Sequence, residues 1–471
     1  MNPRFRDLLI GVVVVAATLV LWWWFFALRE EQQLEIRSPR GNVQVNGMPA
    51  TAGMKIPASG AEIVTGPDGF VNLVMTDGST SQLVQGSKLR IINARQDNRG
   101  KQYRSVFQLD AGEIIREVPK ASDIKRESTL VTRTANIGVR GTLYVVTSAS
   151  AGTGIMVHRG AVATQGQAGT EAPLPENYGT RVVAGAAPEP ASVLPPPPAL
   201  EQPEKGTRHS AASIRFAWNP VPEGQAYLLE IASDEQFNSL VVRRVVTTNS
   251  FDLDALPEDG RFFWRVKTVD GRKLQGRGSE PRILHYKYHH ESGRSLIAQG
   301  KAKDALVALR LAEKGYPTDA SVLSDLGWAH YINAELESAK STLDRSIAAD
   351  KSDVGTFLRR GRVHYWLKKL ELSRKDYETV LATSNQDPDA NWGLAEVEIA
   401  ENKMELAFQR LDELLSRHPG YVYAAMTGAK AAFERGDLVR AKKYLASELR
   451  ARPDNVEALR LQDAVQRGIK K

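Results

Sequence analysis

The sequence predicts a multidomain fold: a single transmembrane helix, an all-β half in two parts, and an α-solenoid. Three observations predict it. Residues 8–28, LLIGVVVVAATLVLWWWFFAL, carry no charge. Short runs with apolar residues at alternate positions, separated by glycine and Asx turns, fill the chain from 35 to 284. From 285 onward the alternation stops and small residues recur with a 34-residue period. A chain of 471 residues has room for two to four domains. Its 62 basic and 55 acidic residues are too evenly matched to argue for nucleic acid, and no long basic tract is present. The absence of cysteine excludes disulfides, thiolate zinc sites and cysteine nucleophiles.

Residues 8–28 are long enough to cross a hydrocarbon core of ~30 Å. The run ends in Trp22-Trp23-Trp24-Phe25-Phe26, an interfacial aromatic belt, where a cleavable signal would end in small residues. Arg4 and Arg6 precede the span and Arg29-Glu30-Glu31 follow it. The positive-inside rule then leaves residues 1–7 as a cytoplasmic stub. The expected placement is a single-pass inner (cytoplasmic) membrane protein with its bulk in the periplasm.

Residues 35–187 form the first β part. AEIVTG, GFVNLVM, SQLVQG, GEIIREV and LYVVT read as strands, set apart by Pro67-Asp68-Gly69, Thr76-Asp77-Gly78-Ser79 and Asp110-Ala111-Gly112. The ordered phrases "GAEIVTGPDGFVNLVMTDGST", "FQLDAGEIIREV", "TRTANIGVRGTLYVV" and "GIMVHRGAVAT" resemble the periplasmic domain of the FecR family. The resemblance implies a compact, β-helix-like domain. Within it, Gly138, Arg140, Gly141 and Thr142 interrupt a strand, since glycine weakens strand pairing and marks a bulge or close approach. They read as a bulged corner, with Arg140 reaching back to strand-end carbonyls or to Glu113 or Glu117. FecR-type sigma regulators hold a sigma factor on a helical cytoplasmic region; seven residues give that activity no room.

Residues 188–206, PEPASVLPPPPALEQPEKG, read as a proline-rich, extended linker. Residues 207–284 alternate again. Alternation makes Trp218, Leu229, Ile231, Phe263 and Val266 the inward residues of a small β-sandwich. "AWNPVP", "YLLEIA" and "FFWRV" resemble a fibronectin type III domain.

The repeat region spans 285–455. One small position runs Gly293, Gly327, Gly361, Ala395, Ala429; another runs Ala305, Ala339, Ser373, Ala407, Ala441. Five units in one register resemble tetratricopeptide repeats, and 456–471 reads as a capping helix. His330 and His364 share a repeat position and read as core histidines. Arg359-Arg360-Arg362 and Lys368-Lys369 read as solvated helix faces.

No phosphate loop, nucleophile elbow or zincin motif occurs. The chain reads as a non-enzyme, with no cofactor and no metal. The candidate site is a protein-binding face on the first helices of the repeats: Arg294, Trp328, Tyr331, Arg362, Tyr365, Trp366, Trp392, Glu396, Tyr423 and Lys430. Aromatic and arginine side chains recur at binding hot spots. The expected function is a membrane-anchored periplasmic scaffold or adaptor whose partners are proteins and whose β domain is sensory or structural. The alternatives are a transmembrane signalling regulator of the FecR type and a cell-wall protein near peptidoglycan glycan.

Overall fold

The computed structural model describes residues 30–97, 101–120, 124–169 and 171–468. The stub at 1–7 and the span expected at 8–28 lie outside the described residues. Among the described residues no helix is long and apolar enough to cross a membrane. The described chain forms two compact units. A β unit takes the residues up to Arg208 with Ser213–Ala255 and Arg261–His285; a repeat unit takes His209–Ala212, Leu256–Gly260 and the residues from Tyr286 on.

In the β unit, two sheets face each other across one apolar core that includes Ile36, Ile63, Leu73, Ile91, Phe107, Ile114, Ile137, Val146 and Ile155. The long strand Gln102–Glu117 belongs to both sheets. Its first half pairs with Lys88–Gln96 and Lys125–Val131, and residues 112–117 pair with Leu143–Ala149 and Thr80–Leu83. Asp110-Ala111-Gly112 therefore does not separate two strands; it is where one strand passes from sheet to sheet, with a register shift beside Ala111 and Gly112 at φ +88°. The β-helix-like expectation is corrected as well. The pairing path closes on itself through ladders that are antiparallel apart from Gln102–Gln108 with Lys125–Val131. Short turns such as 76–79 force this, because tight turns join antiparallel neighbours while parallel coils need longer connections.

Arg140-Gly141-Thr142 is the corner between Ala135–Val139 in one sheet and Leu143–Ala149 in the other. Gly141 has φ +65°, a backbone that a side chain strains. The Thr142 hydroxyl, fully buried, donates to the Ala161 carbonyl at 2.9 Å. Gly138 instead sits in regular register opposite Ala163 and Thr129. The role expected of Arg140 is also corrected. Its side chain is exposed, and the two carboxylates named for it serve other cations: Glu113 pairs with Arg243, and Glu117 with Arg159. Arg126 does what Arg140 was expected to do, donating to the Asp77 carbonyl at 2.8 and 3.0 Å and to that of Pro119 at 3.2 Å.

The second β part is a sandwich. One sheet orders Leu200–Gln202, Ile214–Trp218 and Ser250–Leu253; the other is built on Leu240–Val246, Ala226–Ala232 and Gly260–Val269. Trp218, Leu229, Ile231 and Val266 are fully buried, with Phe216 edge-on to Trp264 at 5.1 Å. Phe263 is not in that interior. Three positions before Val266 it points to the opposite face, where it packs with Phe70, Val84, Phe237 and Leu240. That face is covered rather than solvated. It carries Glu230, with no exposed surface, held by Arg265 at 2.7 Å, Lys267 at 3.1 Å and Arg243 at 3.6 Å. Arg243 also reaches Glu113 at 2.6 Å, and Gln275 donates to the same carboxylate at 2.8 Å. The linker of 188–206 is no free spacer either. Leu194 packs with Val145, Met156 and Leu274, and the Pro196 carbonyl accepts from Thr268 at 2.6 Å.

The repeat unit is built from helical hairpins. First helices begin at Tyr288, Ala320, Val354, Pro388 and Val422, and second helices at Ala302, Leu336, Leu370, Met404 and Leu438. The cap is Val456–Gln466. Three devices repeat with the 34-residue register. Small residues let the helices approach: a Cβ on Gly327 would stand 2.6 Å from Leu343 Cγ. The carboxylates and amide of Asp319, Asp353, Asp387 and Asn455 accept from the opening N–H groups of their helices. Each hairpin turn passes through a left-handed residue: Gly300, Ala334, Lys368, Asn402 and Gly436, at φ between 60° and 79°. The fifth hairpin has Tyr421 at the N-cap position of its first helix and no side-chain cap. At the first hairpin the Asx cap is also missing, and Asp259 supplies it from a distance, accepting from the His289 and His290 amides at 2.8 and 2.9 Å. The Tyr316 hydroxyl donates to the neighbouring Gly260 carbonyl at 3.1 Å. His330 and His364 are buried and bonded to Glu335 at 2.6 Å and Asp376 at 3.0 Å.

Two outcomes are expected. Lys368→Gly removes the strain of a left-handed lysine and should raise stability in urea denaturation by ~0.5–1 kcal/mol, while Gly436→Ala should lower it by a similar amount. The second concerns His158, nine-tenths buried; burial first, then Lys267, Arg277 and Arg265, push its imidazole down to about 3, with Glu230 opposing. A depressed folded value means that stability is present above the ordinary 6.5 and is lost as pH falls toward 3. Relative to His158→Gln, the wild-type protein should lose up to ~1.4 kcal/mol per pH unit across that window. Parallel denaturation curves for the two proteins from neutral pH to pH 4 would contradict this.

Candidate functional site

The candidate residues lie on the first helices of the hairpins. Arg294, Trp328, Arg362, Glu396 and Lys430 occupy one repeat position, 34 residues apart. Tyr331 and Tyr365 sit one turn on, where i and i+3 share a face. Trp328 stacks on Tyr331 with centroids 4.6 Å apart. The Arg359 guanidinium lies 5.9 Å from the Trp328 ring and donates to Asp325 at 2.8 Å. Asp325, buried, also takes His290 at 3.0 Å and Arg294 at 3.5 Å. Burial works to raise its pKa, but His290 and Arg359 hold it below the ordinary value.

The centre of the face is Arg362. Its guanidinium lies 4.3 Å from the Trp392 centroid and 5.8 Å from Tyr365, and it pairs with Glu396. Burial disfavours both charges. Even so Arg362 stays above its ordinary value, held by Glu396 and by Tyr331, while burial moves Glu396 up despite the arginine. Trp392 continues the run, stacked on Tyr423 at 5.2 Å, with its indole N–H on the Thr427 hydroxyl at 2.9 Å. Tyr421 meets Tyr423 edge-on at 5.8 Å and donates to Asp389 at 2.5 Å. Trp366 stands edge-on to Tyr365 at 6.0 Å.

The structure thus brings Tyr365, Arg362, Trp392, Glu396 and Tyr423 into one continuous surface, places Arg294 at Asp325, and links the two through Trp328 stacked on Tyr331, which in turn meets Arg362. Lys430 stands apart, paired with Glu457 at 2.8 Å. Trp366 and Tyr423 are half exposed, at 50% and 57%, whereas Arg362 and Glu396 are mostly covered. Arg362 is therefore a support beneath the aromatic surface more than a free anchor on it. The arginine run is not a solvated face: Arg359 serves Asp325, and Arg360 joins Asp344 at 2.7 Å to Asp376 at 2.6 Å. Sequence reasoning missed Asp325, Arg359 and Thr427. All three share a repeat position three residues before the main ladder, so the 34-residue alignment carries the signal that would find them.

Residues 61–163 match the FecR protein family. No curated protein matches the chain. The helical region resembles tetratricopeptide-repeat proteins of known structure. TTC0263, a thermophilic repeat protein of Thermus thermophilus, is similar at 17% identity and a TM-score of 0.34, over 38% of this chain and 97% of that one. MamA of Desulfovibrio magneticus RS-1 is similar at 15% identity and 0.32, over 36% and 95%. YrrB, a repeat protein with an unusual peptide-binding site, is similar at 15% and 0.31, over 37% and 90%. The repeat assignment itself rests on the register of the helices.

Arg362→Glu should place two carboxylates on one half-buried site and lower the stability of the repeats by ~2–4 kcal/mol. The swap Arg362→Glu with Glu396→Arg should recover most of that loss. Additive losses in the double variant, read from chemical denaturation, would show that the pair is not coupled.

Proposed function

We propose that this protein is a membrane-tethered scaffold whose repeat unit binds a segment of a partner protein along its first-helix face. The observation that carries the reading is the run of rings Tyr365, Trp392 and Tyr423 laid over the Arg362–Glu396 pair, with the first two partly buried and Tyr423 half exposed at its end. Rigid aromatic rings held by stacking and by a hydrogen bond lose little freedom on binding, which is where hot-spot energy comes from. The FecR and tetratricopeptide families are not enzymatic. The tether is the charge-free run of 8–28, with the bulk of the chain exported to the periplasm. Confinement at a membrane would then raise the local concentration of partners. The β unit is the structural or sensory part of this arrangement.

The test is a crosslinking pull-down from membranes with the full chain, with a variant lacking 286–471, and with Tyr423→Ala and Trp366→Ala. The reading expects a partner that is lost with the repeats and weakened roughly 30-fold by Tyr423→Ala, about 2 kcal/mol, at unchanged thermal stability. Capture of the same partner without 286–471 would move the function to the β unit.

A further inference from the structure

The β unit contains a cavity of about 410 Å³ that the scaffold reading does not use. Its walls come from the outer face of the sheet holding Thr80–Leu83 and Leu143–Ala149, and from the covered face of the sandwich. Four cations line it, Arg159, Arg265, Lys267 and Arg277, against one lining carboxylate, Glu117. Ile115, Leu143, Val145 and Phe237 give it apolar walls. The size falls within the range of small-molecule sites, which combine apolar walls with a few fixed polar groups.

We propose that this cavity is a binding site for a small organic anion, an oxyanion such as a carboxylate or phosphate on an apolar body. Three observations support it. First, the fixed cations are held in place before any ligand arrives. Lys267 and Arg265 are anchored on Glu230, Arg265 stacks 3.9 Å over Phe237, and Arg277 is pinned by Glu176 at 2.7 Å. Second, His158 lines the cavity, is nine-tenths buried, and its Nδ1 has no hydrogen-bond partner. Third, the wall is electrically unbalanced. Burial lowers the Lys267 ammonium, and Arg265 and Arg243 add to the effect against Glu230 and Glu113; burial and the cations Lys267, Arg277 and Arg265 depress His158 against Glu230. A second anion in the cavity would relieve Lys267 and Arg265, which share the single carboxylate Glu230. Glu117 is already taken by Arg159.

Isothermal titration of the purified full chain at constant ionic strength tests this with phenyl phosphate, benzoate, inorganic phosphate and neutral benzyl alcohol. We expect saturable binding of phenyl phosphate or benzoate, the stronger of the two identifying the oxyanion. Inorganic phosphate should bind more weakly, and benzyl alcohol not at all. Arg277→Ser, at a half-exposed position that tolerates change, should weaken binding by about tenfold, and Arg277→Lys should keep part of it. Lys267→Met is the second probe, judged on protein whose circular dichroism matches the wild type. The proposal is overturned if no anion binds saturably, if benzyl alcohol binds as well as benzoate, or if both variants bind as tightly as the wild type.

Discussion

Glu230 has no exposed surface, and a carboxylate in that position must be answered by charge or it would not stay ionised. Three cations answer it, and its pKa lies below the usual carboxylate range because Lys267, Arg265 and Arg243 outweigh the effect of burial. Much of the β unit follows. A sheet face that holds Glu230, Arg243 and Lys267 out of water has to be covered. Its cover is the ladder of Thr80–Leu83 and Leu143–Ala149, together with the proline-rich strap whose Leu194 reaches Val145 and Leu274. Arg243 then bridges to Glu113, a residue 130 positions away in sequence, so the charge cluster ties both β parts into one unit.

This is also where the sequence was hardest to read. Alternation in strands reports faces correctly only when one face is wet. In YLLEIA and FFWRVKTV both faces are dry, one with aromatic and aliphatic side chains and the other with ion pairs. Phe263 was therefore assigned to the wrong side by its apolarity. The corner at 140–142 was legible through Gly141 and Thr142, whose backbone angle and buried hydroxyl do the turning. Arg140 was over-read, because a charged residue next to two glycines attracts a structural role that its exposed side chain does not have. The turns at 67–69 and 76–79 were legible as turns. Whether a glycine ends a strand or lets it cross between sheets, as Gly112 does, depends on partners far away in sequence.

The repeats were legible for the opposite reason. The devices that shape the hairpins are local and recur at one spacing: the small residue where helices approach, the Asx cap of the second, third and fourth hairpins, and the left-handed turn. The exceptions are informative too. Where the first helix lacks its own Asx, Asp259 caps it from 30 residues away, a contact with no local trace. The candidate face was legible as a list of positions but not as a set of roles, since exposure decides between anchor and support.

That division of roles has a physical logic. The positions that set helix approach and turning stay within narrow limits, small residues at one and left-handed residues at another. The ladder position on the same helices does not: it reads Arg294, Trp328, Arg362, Glu396, Lys430. A position that served packing alone would be held to one size and polarity by the equivalent surroundings of each hairpin. Here volume, charge sign and aromaticity all change while the backbone repeats. The surroundings adapt to the side chain, with Asp325 meeting Arg294, Glu396 meeting Arg362 and Glu457 meeting Lys430. The variation is thus absorbed by charge pairing along the face and not by the fold. What it leaves along the face is a non-repeating order of side chains, Arg294, Trp328, Arg362, Glu396 and Lys430, with a cation at either end. If the face binds a segment as proposed, unequal rungs would disfavour its sliding by one repeat, because each rung would then meet a different side chain.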